Sequence, residues 1–172
     1  MTLNQEQIMN YFTRIGLNYD DYKCHKLDGQ LLAELCFAHS ISIPFENLDI
    51  LNHKEISLDG SILYDKIITK HRGGLCFELN GLSEIFLRSL GFGVKDLSSR
   101  FFRDAGDDIP MQRHRLLKVE AVDGTYIWDI GIGQRSPKYP LRLAEGLVQQ
   151  QCGEVYKLEK EAFYGWVLYE YY

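Results

Sequence analysis

The apolar residues of this chain recur with one period up to Leu90 and with another after Gly91, and that single switch limits the fold more than any other feature. Before the switch the spacing is helical. Asn4 is placed to cap a helix carrying Ile8, Tyr11, Phe12 and Ile15, which Gly16 stops. Asp28 opens a second helix with Leu31, Leu32, Leu35 and Ala38 on one face. Pro44 forces Ile43 out of the helical region, so "SISIPFENLDIL" is expected to be extended. Asp59 caps a third helix with Ile62, Leu63, Ile67 and Ile68, closed by the turn Arg72-Gly73-Gly74. A fourth helix runs from about Leu75 or Cys76 to Leu90, with Gly91 as its stop.

After Gly91 the segments "VKDLSSRFFRD", "HRLLKVEAV", "TYIWDIG", "EVYKLEK" and "YGWVLYEYY" are short, rich in β-branched and aromatic residues, and bounded by turn chemistry, so they read as strands. "AVDGTY" is the clearest hairpin, because Asp123-Gly124 suits a type I′ turn. With 172 residues, 45% of them hydrophobic, the chain forms one compact domain or two small ones with a real core. The fourth helix is expected to lie between the helical and the strand-rich halves.

A formal charge of -5 and the lack of basic runs argue against nucleic acid or an anionic membrane surface as partner. The amino terminus has no signal-peptide pattern, and no segment approaches the roughly 18 apolar residues of a membrane span. These features lead to an expected cytoplasmic location. Cys24, Cys36, Cys76 and Cys152 show neither metal-ligand spacing nor a disulfide framework, so no metal is expected and the thiols are expected reduced.

Cys76 follows two glycines in "HRGGLCFELNGL" and falls in the first turn of the fourth helix. Unpaired N–H groups and the positive end of the helix dipole favour a thiolate there. A dipole contribution of about 1 kcal/mol lowers a thiol pKa by only about 0.7 unit from about 8.5, which leaves most of the thiol protonated at neutral pH. A useful nucleophile therefore needs an imidazolium beside it. A lone cysteine most often packs as a small hydrophobe, and the close approach allowed by Gly73 and Gly74 is what favours a reactive role.

His25, His39, His53 and His71 stand in helical or loop contexts that suit structural roles, whereas His114 begins a strand and Asp129 closes the next one. Together with Cys76 they make up the parts of a Cys-His-Asp triad. An ideal hairpin with Asp123-Gly124 as its two-residue turn sets Asp129 opposite Lys118, about 13 Å along the strand from His114. A bulge, coiling or another strand arrangement is needed to close that gap.

The blocks "IPFENLDIL", "RGGLCFELNGL", "HRLLKVE" and "WDIGIG", in that order, closely resemble the arylamine N-acetyltransferases, with 38 residues from Cys76 to His114 and 15 from His114 to Asp129. The resemblance implies an α+β fold of papain-like arrangement, in which an N-terminal helical subdomain over 1–92 carries Cys76 and an antiparallel β-barrel over 93–172 carries His114 and Asp129. It also implies ping-pong transfer of acetyl from acetyl-CoA through a Cys76 thioester to an arylamine, hydrazine or arylhydroxylamine. His114 would activate the thiol and Asp129 would orient His114. Phe45, Leu75 and Ile132 would line the acceptor pocket, although an aromatic is usual at the last position. Gly131 and Gly133 would admit the pantetheine arm, and Glu46 with Arg72 resembles the family's structural ion pair.

The acidic loop "RDAGDDIP" is an unexpected neighbour for CoA phosphates, with Arg103, Arg113, Arg135 and Lys138 as possible offsets. Family members usually continue for about a hundred more residues into a third domain over the cleft. Without it the cleft is expected to be more open, with weaker CoA binding and water competing for the acetyl-enzyme. Two other functions compete with the transferase: a cysteine hydrolase or amidase on the same scaffold, and an inactive binding module that self-associates through its exposed barrel surface.

Overall fold

A computed structural model of the chain describes residues 1–102 and 109–171, so the acidic stretch at 103–108, Arg103 included, lies outside the described residues. The helix caps are those expected from sequence. Asn4 Oδ1 accepts the Gln7 N–H at 2.9 Å and Gln7 Oε1 accepts the Asn4 N–H at 3.0 Å, closing a capping box on α1 (Gln5–Arg14). Asp28 caps α2 (Gly29–Ser42) through the Leu31 N–H at 3.0 Å. Asp59 accepts the Ser61 and Ile62 N–H groups at the start of α4 (Gly60–Tyr64). α5 (Cys76–Leu90) ends on Gly91 at φ +104°, a backbone angle that favours glycine.

Two helical expectations change. The chain after Pro44 is extended only briefly before it turns into α3 (Leu48–Leu51), because Glu46 Oε2 takes the Leu48 N–H at 2.7 Å and starts a helical turn. α4 runs directly into a π-helical turn, Asp65–Thr69, and the wider turn accompanies burial of the adjacent Ile67 and Ile68.

The described strands form two antiparallel sheets. The first has the order β1 (Gly93–Ser99), β2 (His114–Ala121), β3 (Gly124–Trp128), β4 (Leu141–Arg142). The second has the order β5 (Val148–Gln151), β6 (Glu154–Glu161), β7 (Gly165–Tyr171). No closed barrel ladder joins them among the described residues; part of the seam is made by side chains. Gln149 bonds both the N–H and the carbonyl of Arg142, and Gln151 does the same for Tyr139, at 2.7 to 3.1 Å. Alternate glutamines of one strand thus satisfy the main chain beside it where a ladder would otherwise run.

The β2–β3 hairpin also departs from expectation. Ala121 pairs with Gly124, so the turn residues are Val122-Asp123, neither with positive φ, and type I′ is not adopted. The tertiary contacts of the turn account for this. Asp123 Oδ1 accepts the Gly29 N–H at 2.9 Å, Asp123 Oδ2 accepts the Tyr126 hydroxyl at 2.9 Å, and the Val122 N–H reaches Leu27 O at 2.9 Å. These bonds dock the hairpin on the start of α2.

α5 lies at the centre of the packing, with Leu79, Leu82, Phe86 and Leu87 in one core together with Tyr11, Phe12, Leu32 and Leu35 of α1 and α2 and Leu117, Val119 and Trp128 of the first sheet. A second, smaller cluster of Leu141, Tyr156 and Leu158 supports the other sheet. Among the described residues no helix is long and apolar enough to cross a membrane.

The turn before α5 is held by close approach and by charge. Phe45 and Gly74 form a parallel bridge, and a Cβ on Gly73 would lie 1.9 Å from Pro44 O. Arg72 bonds Glu46 at 2.6 Å and Asp49 at 3.1 Å, as the expected ion pair requires, while Lys66 bonds both Asp49 and Glu78 at 2.7 Å. The Lys66 hydrogen bond, opposed by burial and helped by Arg72, brings the Asp49 pKa from 3.8 down to about 2. Stability from this depressed pKa is complete above the ordinary carboxylate range and is lost as pH falls toward 2.

Removing Lys66 leaves the buried Glu78 carboxylate without its cation, and Lys66→Met is expected to cost about 3 kcal/mol in urea unfolding. Lys23→Met, at the exposed Lys23–Asp20 pair, is expected to be close to neutral. Equal effects of the two substitutions would mean that the network adds nothing.

Candidate active site

Cys76 is the first residue of α5 and is partly buried. Its presentation depends on Glu78, whose Oε2 accepts the Leu75 N–H at 2.9 Å while its Oε1 faces Lys66. One of the open N–H groups at the helix start is thereby satisfied by a carboxylate, and the Phe77 N–H is left to face the sulfur.

His114 is the first residue of β2, and Asp129 follows immediately after β3. The observed register, extended by one pair, sets Asp129 opposite Leu116 rather than Lys118, and this shortens the expected gap to about 7 Å along the strand. Side chains span the remainder. His114 Nε2 and Asp129 Oδ2 are 2.6 Å apart, with both residues buried. The shift of the turn from Asp123-Gly124 to Val122-Asp123 thus also shortens the distance that the expected hairpin leaves open.

Asn80 joins the helix to this pair. Its Nδ2 donates to Asp129 Oδ1 at 3.2 Å and to Arg115 O at 2.6 Å, and its Oδ1 accepts the Ile130 N–H at 3.3 Å. Asp129 Oδ1 also accepts the Gly131 N–H at 2.9 Å. The Phe101 ring lies 4.7 Å from the His114 ring, centroid to centroid. Sequence reasoning gives no role to Asn80 or Phe101. A signal exists for Asn80, which stands four residues after Cys76, the spacing that brings side chains together on one helix face. Phe101 lies beyond β1 and has no comparable periodic signal.

The electrostatics couple the cysteine to the histidine. Burial of the sulfur opposes the thiolate, but a hydrogen bond with His114, the Arg115 N–H, the His114 charge and the Phe77 N–H outweigh it and lower the Cys76 pKa. Burial likewise opposes protonation of His114, and hydrogen bonds and charge from Asp129 and Cys76 reverse that, raising its pKa to about 9. With Nε2 on Asp129, Nδ1 is the ring nitrogen left for the sulfur. Cys36 is the contrast: burial first and then the Asp129 charge push its thiol up, which makes it inert.

Gly131 packs directly on Cys76, since a Cβ there would lie 2.6 Å from Cys76 Cβ and 2.7 Å from Cys76 Cα. Gly133 sits beside Phe45, a residue that is 43% exposed and whose backbone bridges Gly74. Leu75 immediately precedes α5, and Ile132, with its N–H on Ser136 Oγ at 2.8 Å, opens the short 3-10 turn Gly133–Arg135. Among the described residues no group of three or more His, Cys, Asp and Glu side chains is arranged to hold a metal ion.

Taken together, these groups can hold a thiolate beside an imidazolium and pass a proton between them. Cys76 is expected to alkylate with iodoacetamide with a midpoint below the ordinary thiol value of about 8.5, its reactivity persisting as pH falls. The ion pair should exist from that lowered thiol pKa up to about 9, where His114 loses its proton. His114→Ala leaves burial with less opposition, so the midpoint should rise and the rate at pH 7 drop roughly tenfold or more, read by peptide mapping. A midpoint that does not move in His114→Ala would show that the imidazole does not control the sulfur.

A family model described as N-acetyltransferase matches residues 28–171. An arylamine N-acetyltransferase / N-hydroxyarylamine O-acetyltransferase of Salmonella typhimurium is 42% identical over 139 residues, covering 81% of this chain and 49% of the relative. The solved structure of an arylamine N-acetyltransferase from Salmonella typhimurium superposes with a TM-score of 0.88 at 36% identity, covering 100% of this chain and 60% of that one. That of Mycobacterium marinum arylamine N-acetyltransferase in complex with CoA superposes with a TM-score of 0.83 at 36% identity, covering 94% and 59%. The chain spans about half the length of the curated relatives it matches. On this agreement of sequence, fold and side-chain geometry, the chain belongs to the arylamine N-acetyltransferase family.

Proposed function

We propose that this chain carries the acetyl-transfer chemistry of its family, with acetyl-CoA as donor and an arylamine, hydrazine or arylhydroxylamine as acceptor. The observation that carries the reading is the contact of Cys76, at the start of α5, with a buried His114 that is itself 2.6 Å from Asp129. In the first half-reaction the Cys76 thiolate attacks the thioester carbonyl carbon, the C–S bond to CoA breaks, and the departing sulfur takes a proton from His114. In the second, the amine attacks the Cys76 thioester, His114 accepts the amine proton, and the thiolate is released with an amide as product. Thioester exchange is nearly balanced and amide formation is downhill, so a cysteine intermediate suits both steps. Asp129 orients His114 and stabilises its charged form.

The same proposal assigns substrate positions. The exposed Phe45 ring, with Leu75 and Ile132, lines the acceptor side, and Gly131 and Gly133 leave main chain open to the pantetheine arm. Support comes from Gly131 lying against Cys76 and Gly133 against Phe45. The chain is divided into a helical part over 1–92 and a strand-rich part over 93–172, in a papain-like arrangement with the two sheets as an open, barrel-like unit. A helix-borne cysteine facing a strand-borne histidine supports that comparison. A cytoplasmic location fits cysteines that are all free. Self-association rests on β7, an edge strand whose Trp166 and Leu168 are exposed.

Brief incubation with acetyl-CoA followed by intact-protein mass spectrometry is expected to show a single acetyl adduct that maps to Cys76 and disappears on adding an arylamine. The adduct should be absent in Cys76→Ala and at least about a hundredfold slower in His114→Ala. An alkylatable Cys76 that takes no acetyl group would refute donor use by this chain, and an adduct that hydrolyses at the same rate with and without amine would favour a hydrolase.

A further inference from the structure

Arg115 faces away from the proposed catalytic pair, yet its contacts converge on the peptide units around Cys76. It lies on β2 next to His114 and packs across the outer face of α5. Its Nη1 donates to Phe77 O at 3.1 Å, its Nη2 bonds Glu84 Oε2 at 2.6 Å, and its Nε bonds Asp96 Oδ1 of β1 at 2.8 Å. Phe77, Gly81 and Glu84 follow one another at helical spacing, and the guanidinium lies along that face. Gly81 makes the room, because a Cβ there would stand 2.5 Å from Arg115 Nη1.

The backbone of Arg115 meets the site from the other side. Its carbonyl accepts from Asn80 Nδ2 at 2.6 Å, and its N–H points at the Cys76 sulfur. The residue is therefore held at its carbonyl by the helix that carries Cys76 and at its side chain by that helix and β1. The residue that follows the cysteine is tied to the residue that follows the histidine.

We propose that Arg115 is a positioning residue for the nucleophile: by clamping Phe77 O, Glu84 and Asp96 across Gly81, it fixes the start of α5 against β2 so that the Cys76 sulfur meets His114 and the Arg115 N–H together. The inference rests on the reading of Cys76 as nucleophile. The chemistry requires a planar donor fork. A lysine can pair with Glu84 or Asp96, but the three acceptors here meet three different guanidinium nitrogens, positions that a single ammonium nitrogen does not span.

The test is the pH dependence of Cys76 alkylation by iodoacetamide, mapped by peptide, beside the melting temperature, in Arg115→Ala, Arg115→Lys and Gly81→Ala. The expected result is a midpoint raised by about one pH unit in Arg115→Ala and a rate roughly tenfold lower at pH 7. Arg115→Lys should recover most of the melting temperature without recovering the thiol midpoint, and Gly81→Ala should move the midpoint in the same direction by displacing the guanidinium. A lower melting temperature with an unmoved midpoint in the folded variants would make Arg115 structural only and overturn the inference. Should Arg115→Ala not fold, the lysine and Gly81 variants decide between the same outcomes. Failure of the underlying reading has a different signature, because the unsubstituted chain would then show an ordinary Cys76 titration and take no acetyl group from acetyl-CoA.

Discussion

The Glu78 carboxylate, held between the Leu75 N–H and Lys66, is the contact on which the site depends. It stands in the first turn of α5, buried, and fixes where the helix begins and so where the first side chain, Cys76, points. A charge taken out of water costs several kcal/mol unless it is paired and hydrogen-bonded, and here both oxygens are engaged. Lys66 in turn shares Asp49 with Arg72, which also holds Glu46. The chain thus links α3, the turn at Gly73-Gly74 and the helix start through one set of alternating charges. Such a network is weak evidence for stability as such, since an apolar replacement of the whole set can be neutral. Its contribution here is geometric: removing one member leaves a buried charge without its partner and loosens the position of Cys76.

With the helix start fixed, the magnitudes at the sulfur separate what each element contributes. The helix terminus alone is too weak to ionise a thiol at neutral pH, and burial of the sulfur opposes ionisation further. The deciding contribution comes from His114, whose burial opposes protonation until hydrogen bonds and charge from Asp129 and Cys76 outweigh it. Asn80 ties the carboxylate of Asp129 to the helix that carries Cys76, so three residues from distant parts of the chain share one set of hydrogen bonds. Low local dielectric strengthens each of these bonds and makes the loss of any one more costly.

Much of this arrangement is legible in the amino-acid sequence. The caps at Asn4, Asp28 and Asp59, the stop at Gly91 and the strand over "HRLLKVEA" follow from local chemistry, and the fold reproduces them. The departures share a cause. Asp123-Gly124 prefers a type I′ turn in isolation, but Asp123 is engaged by Gly29 and Tyr126, and those bonds outweigh the local preference. Glu46 likewise starts a helical turn in a segment that Pro44 would keep extended. The short β4 and β5 carry little apolar alternation, and their connection relies on Gln149 and Gln151, whose side chains a pattern reading takes for solvent-facing polar residues.

By itself the sequence determined the switch from helical to strand period, the helix caps at Asn4, Asp28 and Asp59 with the stop at Gly91, and the identity of Cys76, His114 and Asp129 as a chemically matched set. Those features depend on residues close together in the chain, where capping, backbone restriction and periodicity act. The tertiary structure alone decided that the three residues meet. It did so by shifting the hairpin register to shorten the His114 to Asp129 gap, by bringing Gly131 against Cys76, and by placing Asn80 and Arg115 on the peptide units between them. The reason is one of range. A register is chosen by the whole set of long-range bonds that dock a hairpin on a helix, and no local pattern encodes that sum.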